Sequence, residues 1–101
     1  MSDVNVILVE DDTDLRDSLV EMLELSGFYT QGCSSAQEFY QLLSAVRYDV
    51  AVVDLGLPDQ SGLKTVEFLR EKTNMGIIIL TARTSLNDRI AISSKLGIFI
   101  R

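Results

Sequence analysis

The chain has 101 residues, which is enough for one domain around one hydrophobic core and excludes a two-domain enzyme. It contains no histidine, so the usual general base and zinc ligand are missing, and triad hydrolases and zinc hydrolases are excluded. Fifteen acidic and nine basic residues give a net charge of −6, which argues against direct contact with nucleic acid and favours cations or basic partners.

No stretch of the sequence approaches the roughly 20 apolar residues that cross a bilayer, and the N-terminus is acidic where a secretory signal is basic. We therefore expect a cytoplasmic protein without membrane contact. The single cysteine, Cys33, cannot form an internal disulfide or a cysteine-ligated metal site. We interpret it as a small apolar core residue rather than a reactive thiol.

Five short segments predict β-strands. The first, third and fourth are rich in β-branched residues and do not alternate with polar ones, which is typical of strands covered on both faces of a parallel sheet. Because helical patterns separate the runs from end to end, we predict a single α/β domain over residues 1–101. The predicted strands cover residues 4–9, 28–33, 50–53, 77–80 and 97–100.

Four segments between the strands carry apolar residues at helical spacing. The first ends at Gly27, a typical C-terminal cap, and the second opens with Ser35 and Glu38 in the pattern of a capping box. The third follows residues 61–62, and a weaker fourth begins near residues 85–87. Their apolar stripes are Leu15, Leu19, Met22 and Leu23; Ala36, Phe39, Tyr40 and Leu43; Leu63, Val66 and Leu69; and Leu86 and Ile90.

Acidic residues follow the first and third predicted strands. Ligands of open parallel sheets bind outside the carboxyl ends of the strands, which would bring Glu10, Asp11 and Asp54 together. Their mutual repulsion needs a cation, and Mg²⁺ binds through one or two carboxylates while accepting phosphate oxygens. Asp12, beside Thr13, is better interpreted as a helix cap. The sequence therefore predicts a Mg²⁺ site that also receives a phosphoryl group.

The chemistry of such a site suits a chain without histidine. Asp54 is already a nucleophile at neutral pH and can accept a phosphoryl group without a general base. Thr81, after the fourth strand, offers a hydroxyl to a phosphoryl oxygen, and the small Ala82 next to it leaves room. Taken alone, Thr81 is better explained by the preference of threonine for strands.

Three segments, ILVEDD, VVDLGLPDQSG and IILTAR, together resemble the receiver domain of two-component response regulators. The resemblance covers residues 4 to about 90. It implies a flavodoxin-like, doubly wound, five-stranded parallel sheet with strand order 2-1-3-4-5. It also implies a signalling domain rather than an enzyme, which receives its phosphoryl group from a phosphohistidine on a separate sensor kinase.

The resemblance assigns roles to individual metal ligands. Asp11 would bind Mg²⁺ directly, and Glu10 would act largely through water. Asp54 would be both the phosphoacceptor and a metal ligand, and Gly56 would supply a main-chain carbonyl to the metal.

It also assigns a switch. Thr81 would move toward the phosphoryl group, and Phe99, at the aromatic switch position, would swing inward with it. Receivers end their fifth strand with a lysine and a proline, but here only Arg101 lies near that place, as a weak substitute with different reach and geometry. Lys95 is better interpreted as a solvated helix end. The last helix of the family has no counterpart, so an effector domain, a partner or a second copy would cover the face beside the first strand.

Three hypotheses for function follow. The first is a phosphorylatable receiver that switches an effector, a downstream protein or transcription through Asp54. The second is a receiver-like module that binds a protein partner but is impaired in phosphorylation, because the lysine is absent. The third, an aspartate-nucleophile phosphatase, needs a second acid two residues after Asp54, where Gly56 stands.

Overall fold

Strands and helices alternate along the chain in the computed structural model, which describes residues 4–55, 62–80 and 99–100. The predicted strands and the first three predicted helices are present in it. The predicted fourth helix, near residues 85–87, lies outside the described residues. The elements are β1 (Asn5–Val9), α1 (Thr13–Leu25), β2 (Tyr29–Cys33), α2 (Ala36–Ala45), β3 (Val50–Asp54), α3 (Gly62–Lys72), β4 (Gly76–Leu80) and β5 (Phe99–Ile100).

The strands form one sheet in the order β2-β1-β3-β4-β5, which confirms the predicted order. β1 pairs in parallel with β2 and β3, and β3 pairs in parallel with β4. β1 and β3 are therefore interior strands with helices on both sides, which explains why their sequences are continuously apolar.

The last strand differs from the prediction in direction. β5 runs antiparallel to β4, with Phe99 opposite Ile79 and Ile100 opposite Ile78, whereas the sequence predicted a parallel strand. A parallel partner requires a crossover that returns the chain to the opposite edge of the sheet, and an antiparallel partner does not.

Each face of the sheet buries its own apolar cluster, because successive residues of a strand point to opposite faces. One face packs against α2 and α3, and the other against α1. The first cluster includes Ile7, Val9, Phe39, Ala51, Val53, Val66, Leu69 and Ile77, and the second includes Val6, Leu8, Val52 and Leu80 with the half-buried Leu19, Val20 and Leu23.

The helix boundaries follow the predicted caps. The Asp12 carboxylate accepts a hydrogen bond from the main-chain N–H of Leu15 at 3.0 Å, which confirms Asp12 as the N-cap of α1. The Ser35 hydroxyl accepts from the N–H of Glu38 at 3.2 Å. Gly27 has a φ of 99°, a conformation that glycine adopts at little cost and that ends α1.

The buried stripe of α1 is rotated from the predicted one. Met22 was predicted to face the core but is 54% exposed, and Val20 packs against the sheet together with Leu19 and Leu23. Leu19, Val20 and Leu23 follow Arg16 at the spacing i+3, i+4 and i+7. Arg16 therefore also lies on the inner face of α1.

The stripe of α3 differs from the prediction in a similar way. Leu63 was predicted to be buried but is 59% exposed, whereas Thr65 is buried together with Val66 and Leu69. The Thr65 hydroxyl lies 3.2 Å from the Tyr40 hydroxyl of α2, so its burial leaves no polar group unpaired. In the described part of the chain, no helix is long and apolar enough to cross a membrane.

Candidate functional site

The carboxyl ends of the two interior strands bring three acidic residues together. The parallel register aligns Val9 with Val53, so Glu10 and Asp54 lie side by side where the strands end. Asp11 follows directly. One carboxylate oxygen from each of Glu10, Asp11 and Asp54 lies within 4.8 Å of the other two. The structure therefore brings together the three carboxylates that the sequence predicted to converge.

The three carboxylates differ in their access to water. Glu10 and Asp54 are each only 2% exposed, whereas Asp11 is exposed. The cluster thus combines two buried acids with one exposed acid, and we call it the acidic pocket. Asp11 is the member of the cluster that solvent reaches.

Glu10 shows the electrostatic cost of this arrangement most clearly. Burial raises the pKa of its carboxyl from 4.5 to about 7, the N–H of Asp12 opposes that rise, and the negative charge of Asp54 adds to it. Oε2 accepts the hydrogen bond from Asp12 at 3.0 Å. Oε1 is buried without a hydrogen-bond partner among the described residues, which is costly for a carboxylate.

A divalent cation would resolve these features together. Hard cations take oxygen ligands, and Mg²⁺ binds through a small number of carboxylates and retains water molecules. The oxygen donors of the pocket and the unpaired Oε1 of Glu10 fit that requirement. The residues present are therefore suited to Mg²⁺, which would also lower the pKa of Glu10 by favouring its charged form.

The start of α3 presses against the strand end that carries Asp54. Gly62 is buried, and a Cβ at this position would lie 2.5 Å from the main-chain oxygen of Asp54 and 2.8 Å from Cα of Leu55. The sequence predicted that the helix follows residues 61–62, but it did not reveal this contact. Only a hydrogen fits at this point without moving the main chain of Asp54.

The remaining predicted site residues are not placed by the structure. Gly56, Thr81 and Arg101 lie outside the described residues, and their roles stay predictions. The main chain of Phe99 lies in β5 beside Ile79, and nothing further is established about its predicted switch role.

Cys33 lies near this end of the sheet but takes no part in the carboxylate cluster. It is 2% exposed. Burial raises the pKa of its thiol to about 12, with a contribution from the charge of Glu38. The side chain is therefore an uncharged thiol, which agrees with its interpretation as an apolar core residue.

A doubly wound sheet with an acidic pocket at the carboxyl ends of β1 and β3 is the architecture of receiver domains, which are signalling domains. The family model of the response regulator receiver domain matches residues 6–99, and the chain belongs to that family.

Two curated relatives are regulators of transcription. The chain is 37% identical over 89 residues to the transcriptional regulatory protein BasR of Escherichia coli, covering 87% of this chain and 40% of that one. It is 34% identical over 93 residues to the virulence transcriptional regulatory protein PhoP of Salmonella typhimurium, covering 91% and 42%. The chain thus spans about two fifths of the length of these relatives.

A solved structure supports the same assignment of the fold. The receiver domain of the Francisella response regulator 1452 matches this chain with a TM-score of 0.73 at 26% identity, covering 92% of this chain and 78% of that one.

Proposed function

We propose that the chain accepts a phosphoryl group on Asp54 from a phosphohistidine of a sensor kinase, with Mg²⁺ as cofactor, and thereby switches a transcriptional output. The observation that supports this most directly is the convergence of the Glu10, Asp11 and Asp54 carboxylates within 4.8 Å. Membership of the receiver family and the two relatives that regulate transcription point the same way.

In this proposal Asp54 is the nucleophile. One of its carboxylate oxygens attacks the phosphorus, the bond from phosphorus to the donor nitrogen breaks, and its electron pair stays with the imidazole of the kinase. Burial of Asp54 strips water from the attacking oxygen and keeps it at the end of β3. Asp11 and Glu10 would hold the cation, which would neutralise the charge that otherwise repels the incoming phosphoryl group.

Four further residues complete the proposed switch. The main-chain carbonyl of Gly56 would serve as a further metal ligand, and Arg101 would pair with a phosphoryl oxygen. Thr81 moves toward the phosphoryl group and Phe99 follows, which changes the surface near β4 and β5. That change is read by an effector domain, a downstream protein or a second copy of the chain.

The test is phosphorylation by a small acyl phosphate or phosphoramidate in the presence of Mg²⁺, followed by intact-mass measurement. Wild type should gain the mass of one phosphoryl group, and Asp54→Asn should not. Asp49→Asn is the matched control, because Asp49 is an exposed acid just before β3, at the opposite end of that strand, and this variant should react like wild type. A mass gain that persists in Asp54→Asn, or that does not need a divalent cation, would contradict the proposal.

The phosphorylation-impaired binding module is the alternative, and the observation in its favour is Arg101 at the place of the family's lysine. Beryllofluoride, which imitates a phosphoryl group on aspartate, separates the two. It should raise the unfolding temperature in Mg²⁺ if the chain is a functional receiver. It should have no effect if the pocket no longer binds a phosphoryl group.

A further inference from the structure

Arg16 takes a position on the inner face of α1 that an apolar residue would normally occupy. It precedes Leu19, Val20 and Leu23 at the spacing i, i+3, i+4 and i+7, and these three pack against the sheet. Arg16 is itself half-buried. A charged residue at such a position needs a hydrogen-bond partner that offsets the free-energy cost of removing the charge from water.

The partner of Arg16 is the main chain of the acidic pocket. Nη1 of Arg16 donates a hydrogen bond to the main-chain oxygen of Glu10 at 2.9 Å. The N–H of Glu10 donates to the main-chain oxygen of Cys33 at 3.0 Å. Both polar groups of the Glu10 main chain are thus held, one by α1 and one by β2, at the point where the side chain turns into the pocket.

Gly32 of β2 leaves the space that the Arg16 side chain occupies, because glycine has no Cβ. A Cβ at Gly32 would lie 3.2 Å from Cγ and 3.3 Å from Cδ of Arg16, and 3.0 Å from Cγ2 of Val20. These separations are tighter than ordinary van der Waals contact. The aliphatic part of Arg16 therefore crosses β2 directly over a residue without a side chain.

We propose that Arg16 and Gly32 form a brace that sets the position of Glu10, so that Arg16 is a positioning residue for divalent cation binding in the pocket. This inference rests on the proposed function, since it concerns the same cation site. Groups that orient metal ligands through hydrogen bonds commonly change metal affinity about 10- to 100-fold when they are removed. Arg16 holds the main chain of a ligand rather than its carboxylate, so its effect falls at the lower end of that range.

Charge and geometry predict effects of opposite sign for Arg16. A guanidinium near the pocket repels a bound cation, so its removal would tighten Mg²⁺ binding if charge were all that mattered. Removal of the brace lets Glu10 move and weakens binding. The direction of the change therefore separates the two explanations.

The first experiment measures the Mg²⁺ dissociation constant by titration calorimetry at pH 8. Arg16→Met keeps the aliphatic stem over Gly32 and loses the donor, and its affinity should fall about 10-fold. Lys72→Met is the matched control, because it removes one positive charge from the exposed far end of α3, and its affinity should stay at the wild-type value. Arg16→Lys, which keeps the charge and a donor, should lie between wild type and Arg16→Met, and it carries the test if Arg16→Met does not fold.

A second experiment uses Gly32→Ala. Its added methyl group displaces the stem of Arg16, so the variant should also bind Mg²⁺ several-fold more weakly. In the Arg16→Met background the same change should cause no further loss, because the bond to Glu10 is already absent. This non-additivity is a result that general destabilisation by Gly32→Ala does not produce.

The outcomes distinguish the brace from the cation site itself. Wild-type affinity or tighter binding in Arg16→Met, or additive losses in the double variant, would overturn the brace while wild type still binds Mg²⁺. The proposed function and the brace are both overturned if wild type does not bind Mg²⁺. They are also both overturned if Asp54→Asn binds Mg²⁺ as tightly as wild type.

Discussion

Neutralising Glu10 should stabilise the metal-free protein, and increasingly so as the pH rises. The pKa of Glu10 is raised from 4.5 to about 7 by burial and by Asp54, so in that interval the folded chain binds more protons than the unfolded chain. Stability therefore falls as the pH increases through this window. At about 1.4 kcal/mol for each pH unit, ionised Glu10 lowers the free energy of unfolding by about 3 kcal/mol above pH 7.

The variant Glu10→Gln removes this penalty while leaving an oxygen for the N–H of Asp12. Urea denaturation in the presence of a chelator would give the free energies of unfolding at pH 5 and pH 8. The advantage of Glu10→Gln over wild type should grow by about 2 to 3 kcal/mol between the two values. Glu67→Gln is the matched control, since Glu67 is exposed on α3. Its free energy of unfolding should differ from that of wild type by the same amount at pH 5 and at pH 8.

Magnesium supplies the second half of this experiment. A cation that binds only the folded state stabilises it, and Glu10→Gln lacks one of the charges that attract it. Saturating Mg²⁺ should therefore reduce or reverse the advantage of Glu10→Gln at pH 8. If that advantage is equal at pH 5 and pH 8 without metal, ionisation of Glu10 is not costly in the fold, and the reasoning about the pocket is refuted.

Three further predictions concern the frame of the site. Gly62→Ala places a methyl group 2.5 Å from the main-chain oxygen of Asp54 and should cost about 1 to 3 kcal/mol in urea denaturation; Gly76→Ala, whose nearest contact would be 3.5 Å, should cost clearly less. Asp12→Ala removes the N-cap of α1 and should cost about 1 kcal/mol by the same measurement; an unchanged value would show that the cap is not needed. Cys33 should react with a thiol reagent in native protein only as fast as the chain unfolds, because the thiol is buried and its pKa is about 12; rapid native labelling would contradict its placement.

The strand order was implied by the family resemblance, whereas the meeting of the carboxylates could be predicted from patterns in the sequence itself. Continuous apolar runs are required wherever a strand is covered on both faces, as in β1 and β3. Polar residues directly after such runs must lie at one edge of a parallel sheet, which placed Glu10 and Asp54 together. The caps at Asp12, Ser35 and Gly27 could also be predicted, because capping depends on residues that are close together in the sequence.

Other features depend on contacts between distant segments. Met22 and Val20 both fit an apolar stripe, and only the packing of α1 on the sheet decides which one faces inward. Arg16 was given no role from the sequence, although its spacing from Leu19, Val20 and Leu23 was a signal that could have been used. The direction of β5 was unpredictable for a different reason. Its two residues are too few for their hydrophobic pattern to distinguish parallel from antiparallel pairing.

In the proposed phosphotransfer, the unequal exposure of the three acids has a consequence for the donor protein. Glu10 and Asp54 are shielded, and among the described residues of the cluster only Asp11 faces solvent. Among the described residues, Asp11 and the turn between β1 and α1 are the part of the cluster that a donor could contact from solvent, so we expect its footprint to include the first residues of α1. Surface changes at this turn should then alter partner choice and the rate of phosphoryl transfer together.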